Sequence, residues 1–239
     1  MNLIEHVIEP QKLLLAWQSL EPEYRDRHIV AELIRTSSED ANLIYLVNTT
    51  SFEKAKNRGF KGYPAFSYLK NIYYDNVLDT FRVRLISKNR DDYKNYLDEL
   101  RLKPDVPISD FGLLGYSNGR LLSDGFSFIH PFENVSGPCE LFIEAAGFRH
   151  IYEGTNPVNI QIGDKVYFKI TKYENEDAIE ILDQSNKLLG YINRGLINTF
   201  IDWINNKRIV TASIEKINLS FENRRSLYIF VKIKSKTIS

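Results

Sequence analysis

A chain of 239 residues with 31 Lys and Arg against 31 Asp and Glu has no net charge, so neither a uniformly basic nucleic-acid coat nor an acidic solvating tail describes it as a whole. Hydrophobic residues at 43% and aromatic residues at 13% supply apolar surface for packed cores and exclude a disordered chain, while the length favours two compact domains over one. Cys139 is the only cysteine, which excludes an intramolecular disulfide framework and a cysteine-based zinc site within one chain and fits a reducing compartment.

Residues 1–10 lack both a basic start and an apolar stretch, and no run of about eighteen apolar residues occurs. The expectation is a cytoplasmic protein with no membrane partner. Residues 12–18 and 28–35 read as an antiparallel strand pair joined by the polar stretch 21–27, and 42–47 as a third strand. Thr50-Ser-Phe-Glu53 has the form of a capping box, in which the threonine oxygen and the glutamate satisfy opposite orphan backbone donors; it predicts a short helix ending near Gly59. Residues 75–85 and 90–100 are helical candidates, the second with Tyr93, Tyr96, Leu97 and Leu100 on one face. A capped short helix is expected over 109–114, a turn over Ser117-Asn-Gly-Arg120, where Asn or Gly takes positive φ, and an extended run over 125–131. The turn-rich segment 131–138 separates two patterned blocks, which places a domain cut at Gly137: a mixed α/β domain over 1–136 and a second domain over 137–239.

Beyond the cut, strands are expected at 140–146, 165–171, 178–182, 210–217 and 227–234. The last alternates Leu227, Ile229, Val231 and Ile233 with Tyr228, Phe230, Lys232 and Lys234, giving one apolar face and one aromatic and basic face. A helix over 193–205 is expected to bury Leu196, Ile197, Phe200, Ile201 and Ile204. Five short strands and one helix suggest a small, partly open barrel of the OB type, so the fold class expected for the whole chain is α+β. From Lys187 onward ten Lys and Arg meet only Asp202, Glu215 and Glu222, a surplus of seven positive charges balanced before it. Lys207, Arg208, Arg224, Arg225, Lys232 and Lys234, interleaved with Tyr228 and Phe230, have the composition of a surface that stacks bases and contacts phosphates. The same residues also fit a solvated surface, with the aromatics in a core and edge lysines that prevent aggregation.

Catalytic signatures are sparse. His6, His28, His130 and His150 lie far apart with no nucleophile-elbow serine, Cys139 reads as a small buried hydrophobe, Asp177 and Glu180 alone do not make a metal-dependent nuclease, and no Walker loop occurs. The expectation is a non-enzymatic protein without cofactor or metal.

Four short segments carry a family resemblance: Ala146-Gly-Phe-Arg-His150, Ile162-Gly-Asp-Lys-Val166, Asn175-Glu-Asp-Ala-Ile179 and Leu189-Gly-Tyr-Ile-Asn-Arg194 running into the Leu196 helix. In order and spacing this block of about one hundred residues resembles the HIRAN family. The resemblance implies a modified OB-fold that grips the free 3′ end of single-stranded DNA in helicase-like remodelling enzymes. It implies that Arg149 and His150 stack on and orient the terminal nucleotide and that Asp177, in a polar loop, accepts from the 3′ hydroxyl. Lys172 and Tyr173, just before the third segment, and Tyr191 and Arg194, within the fourth, complete the expected nucleic-acid-binding set. The chain departs from the family's Asn-x-x-Asp loop, because Asn175-Glu-Asp177 is one residue shorter and Tyr173 lies four residues ahead of the acid.

Residues 1–136 are more distantly similar to the N-terminal subdomain of HipA-type toxin kinases, through Tyr63-Pro-Ala-Phe66, Phe81-x-x-Arg84-Leu85, Asp110-Phe-Gly-Leu-Leu114, Ser117-Asn-Gly119 and Asp124. The kinase core has no counterpart here, since neither a Gly-rich nucleotide loop nor a catalytic Asp loop is found. The two resemblances imply a protein that binds single-stranded DNA or DNA ends and tethers a separate partner such as a helicase, nuclease or kinase, in DNA repair or phage defence. The alternative is a protein-interaction or antitoxin-like subunit of a HipA-type kinase or phage-defence system.

Overall fold

The computed structural model describes residues 1–21, 23–24, 26–121, 123–152, 160–219 and 225–236. It is an α+β protein of antiparallel sheets and short helices. The chain divides into two compact units, each discontinuous in sequence: Ile8–Tyr96 with Asp105–Phe132, and Met1–Val7 and Leu97–Pro104 with Glu133–Ser239. Where the sequence suggests one cut at Gly137, the chain changes unit between Phe132 and Glu133, and two short segments from its first half belong with the second unit.

In the first unit, β1 (Lys12–Gln18), β2 (Arg27–Arg35), β3 (Ala41–Tyr45), β4 (Ile72–Tyr73) and β5 (Phe126–Ile129) form one antiparallel sheet in the order β4-β3-β2-β1-β5. α1 (Thr50–Asn57), α2 (Val77–Arg82) and α4 (Asp110–Ser117) accompany it, with α3 (Tyr93–Glu99) running between α2 and α4. α1 is capped by Thr49, one residue before the expected Thr50, whose hydroxyl accepts from the Phe52 amide at 3.2 Å. Ser109 caps α4 as expected, accepting from Gly112 N at 2.9 Å. The high aromatic content goes into this core, where Tyr63 packs edge-on to Phe81 (4.7 Å) and Phe126 (5.0 Å), and Phe81 to Phe128 (4.9 Å).

The second unit contains β6 (Cys139–Glu144), α5 (Phe148–Ile151), β7 (Tyr167–Tyr173), β8 (Glu176–Leu182), β9 (Leu188–Tyr191), a 3-10 turn (Arg194–Leu196), α6 (Ile197–Asn205), β10 (Ile209–Asn218) and β11 (Ser226–Ile233). Two three-stranded antiparallel sheets result, β10-β11-β6 and β7-β8-β9. Isolated bridges, Ala146 with Tyr191 and Lys165 with Ser213, link them, and no closed barrel is found among the described residues. β9 is a strand beyond the five expected; four residues, one of them glycine, are too few to show alternation. α6 buries Thr199, Phe200 and Trp203, with Leu196 buried just before it, a stripe rotated from the expected one that leaves Ile197, Ile201 and Ile204 half-buried.

A strap from residues 1–7 and 97–104 docks on the β10-β11-β6 sheet. Asn2 donates from its backbone and side chain to Glu215 (3.1 and 2.8 Å), Arg101 Nε donates to the same carboxylate at 3.0 Å, and Ile4 N donates to Arg101 O at 2.7 Å. The amides of Glu5 and His6 both donate to Glu140 Oε2 at 2.9 Å, and the Arg101 guanidinium lies 4.9 Å above the Phe142 ring. Register puts Phe230 opposite Phe142 and on the same face as Glu140, the face the strap covers. Phe230, expected on an exposed aromatic and basic face, is therefore only 1% exposed.

Candidate nucleic-acid interface

β7 is the edge strand of its sheet, and its alternation sends Tyr167, Lys169, Thr171 and Tyr173 to one face. Register adds Glu180 and Tyr191 to that face, since Lys169 pairs with Glu180 and Glu180 with Tyr191. Tyr167 and Tyr173 are 52% and 55% exposed, and the Tyr173 and Tyr191 rings lie 6.1 Å apart. Burial raises the pKa of the Tyr191 hydroxyl above the ordinary tyrosine range, helped by the Glu180 charge and by Tyr173, so this ring is a neutral phenol at physiological pH. The positive charge on this face is shared with acids: Lys169 Nζ sits 3.6 Å from Glu180, and Arg194 is 3.4 Å from Glu176.

Tyr191 also joins the segment leading to α5. Its amide and carbonyl pair with those of Ala146, both at 2.8 Å, and a side chain at Gly190 would place Cβ 2.8 Å from the Ala146 oxygen, so only glycine permits this approach. Gly147 then starts α5 at φ 78°, in the left-handed region that favours glycine. α5 carries Arg149, half-buried, and His150, exposed. Arg225, half-buried, donates from its guanidinium to the Tyr152 carbonyl just after α5, and the Tyr152 hydroxyl donates to Leu188 O at 3.0 Å. Tyr173, Tyr191, Arg149, His150 and Arg225 are thus drawn toward one end of the unit, with Arg194 near the β7–β8 hairpin through Glu176.

Asp177 does not join them. The expected polar loop is a two-residue hairpin turn, Glu174 and Asn175, both at positive φ (51° and 64°). Asp177 therefore lies within β8, exposed and opposite Lys172, and both project from the face opposite Tyr173 and Tyr191. The shortened Asn175–Asp177 spacing is the sequence trace of that tight turn.

The other expected basic residues lie at the far end of β11. Arg208 is not a surface cation: it is 2% exposed, and its guanidinium donates to the carbonyls of Lys234 (3.0 Å), Val135 (2.6 Å), Ser136 (3.4 Å) and Gly137 (3.0 Å). It clamps residues 135–137 to the end of β11. Lys207, Lys232 and Lys234 are exposed around this clamp; Arg224 lies outside the described residues.

In the first unit, the segments singled out from the sequence converge on Arg84. Its side chain is buried, donating to Tyr63 Oη at 3.2 Å, to Gly119 O at 3.0 Å and to the Asp124 carboxylate. Cys139 is buried, and desolvation pushes its thiol up to about 12, ahead of a smaller opposing effect of Arg208. His130 is a structural residue, hydrogen-bonded to Ile8 O and Phe132 N. No three His, Cys, Asp or Glu side chains among the described residues gather as a metal-binding group, and no helix among them is long and apolar enough to cross a membrane. Comparison with protein-family models, with curated proteins and with solved structures finds no match.

Proposed function

We propose that this protein is a non-enzymatic single-stranded DNA-binding protein whose second unit, an open OB-like ring of two sheets, holds the body of a strand on the Tyr167, Tyr173 and Tyr191 face and tethers a partner protein. The observation that carries this is the pair of neighbouring tyrosines, Tyr173 and Tyr191, on an exposed sheet face beside α5. Every base has a flat π surface, so such a platform takes successive bases with little sequence preference, at about 1–3 kcal/mol per stacked base. The resemblance to HIRAN domains favours DNA as the ligand. Asp177, on the opposite face from the tyrosines, favours contact with the strand body over capture of a 3′ hydroxyl.

Fluorescence anisotropy with a labelled six-nucleotide DNA, carrying a free or a blocked 3′ end, tests this. Binding that tolerates the block and falls at least tenfold in Tyr173→Ala or Tyr191→Ala is the expected result. Binding abolished by the block would move the site to Arg149 and His150 and restore an end-specific pocket. No binding at low salt, with a protein partner co-purifying in stoichiometric amount, would replace the proposal with the interaction-subunit alternative.

A further inference from the structure

The candidate cations fall into two groups of different chemistry, set apart by the length of one strand. At about 3.3 Å per residue, the run from Arg225 through β11 (Ser226–Ile233) to Lys234 is about 30 Å long. Near its start the charges are partly matched by acids and lie beside exposed tyrosines. At its end the composition is reversed. Lys207, Lys232, Lys234 and Lys236 are all exposed, and none makes an ion pair among the described residues. Backbone bonds hold them together, with Lys234 N donating to Arg208 O at 2.9 Å and Lys236 N to Ser136 O at 2.7 Å around the buried Arg208 clamp. Glu140, opposite Lys232 in register, turns its carboxylate to Glu5 and His6 instead. Trp203 and Phe230 nearby are each 1% exposed and offer no stacking surface, and the exposed His6 ring is engaged by Glu140 at 3.0 Å.

A surface of unmatched lysines whose Trp and Phe rings are buried recognises phosphates and not unstacked bases. A duplex presents that ligand, because its bases are hidden in the stack. We infer that the Lys207, Lys232, Lys234 and Lys236 patch is a second binding site that takes the backbone of duplex DNA flanking the strand held on the tyrosine face, so that the preferred ligand is a duplex with a single-stranded extension. This rests on the strand-binding function proposed above and adds a minimum size: at ~3.4 Å per base pair, about nine base pairs span the distance between the groups.

The test compares three DNAs at low and fourfold higher salt: the six-nucleotide strand, a blunt twelve-base-pair duplex, and the same duplex carrying the six-nucleotide extension. The extended duplex is expected to bind at least tenfold tighter than either part. With about 0.9 counterion released per phosphate contacted, four engaged lysines make the higher salt weaken it about 100-fold more than it weakens the short strand. The variant with Lys207, Lys232, Lys234 and Lys236 all changed to Gln is expected to keep the wild-type melting temperature and short-strand affinity while losing the gain from the duplex. An extended duplex that binds no tighter than the short strand overturns the inference and leaves strand binding standing, as does a variant that retains the full gain. Equal weakening of both ligands by the variant also overturns it, since the lysines then belong to the strand site. Failure of the wild type to bind the short strand removes the strand-binding proposal, and this inference with it.

Discussion

His130 makes the stability of the first unit depend on pH. Its ring is 5% exposed, stacks on Phe132 with 3.7 Å between centroids, and makes two 3.0 Å hydrogen bonds, accepting from Phe132 N at Nδ1 and bonding Ile8 O through Nε2. The neutral Nε2–H tautomer satisfies both, whereas protonation puts a donor against the Phe132 amide. Burial lowers the pKa from 6.5 to about 4, and the Ile8 carbonyl and the Glu9 charge offset only part of that effect. Below pH 6.5 the unfolded chain takes up a proton that the folded chain refuses, so the contribution is whole above 6.5 and lost progressively as pH falls toward 4. At ~1.4 kcal/mol per pH unit, the loss amounts to about 3 kcal/mol across that window. Urea unfolding of wild type and His130→Gln at pH 7.5, 6, 5 and 4.5 measures it. The amide supplies one acceptor and one donor without titrating, so the variant should start about 1 kcal/mol or more less stable and fall less steeply, the difference moving by about 2.5 kcal/mol in the variant's favour by pH 4.5. Parallel curves down to pH 4.5 would refute the role of His130, because every other titration is common to both proteins.

Three further outcomes follow from the second unit. Replacing Arg208 with Ala should cost about 3 kcal/mol or more in urea unfolding, since carbonyls at both ends of the clamp lose charge-assisted donors; Lys at this position should not restore stability, because one ammonium cannot span Lys234 and Val135 together. Cys139, buried and with its thiol at about 12, should resist a disulfide reagent at pH 8 in the native protein and react within seconds in denaturant; fast native reaction would contradict the packing. Deleting residues 1–7 should destabilise the second unit at neutral pH by removing the Glu5 and His6 partners of Glu140 and the Asn2 partner of Glu215, which keeps only Arg101. For Glu215, burial alone would raise the pKa, but hydrogen bonds from Asn2 and Arg101 outweigh it and lower the value below 4.5, so this part is present above pH 4.5 and lost as pH falls through the depressed value. The deficit of the truncated protein should therefore narrow in acid; a constant deficit would mean that the strap acts through apolar contacts alone.

Local signals in the sequence translate well into elements wherever the physics is local. The strand at 12–18, the Ser109 cap and the positive φ at Asn118 and Gly119 follow from alternation, capping chemistry and turn preference within a few residues. What could not be read is long-range. Phe230 has the alternation of an exposed residue and is buried because a strap from the other end of the chain covers its face. Arg208 looks like one more cation in a basic tail, and only the return of residues 135–137 to its side makes it a clamp. The tyrosine platform was half legible: Tyr173 and Tyr191 were singled out, while Tyr167 was passed over because nothing in the sequence marks β7 as an edge strand. Asp177 was misplaced for a local reason, since the two-residue hairpin moves it from a loop onto the opposite sheet face.

The strap also sets a timetable. Asn2 is made 213 residues before its partner Glu215. At roughly 5–20 residues per second, Asn2 waits on the order of ten seconds or more before the carboxylate that receives it exists. The strap is complete only when β10 has been made and offers Glu215 to Asn2.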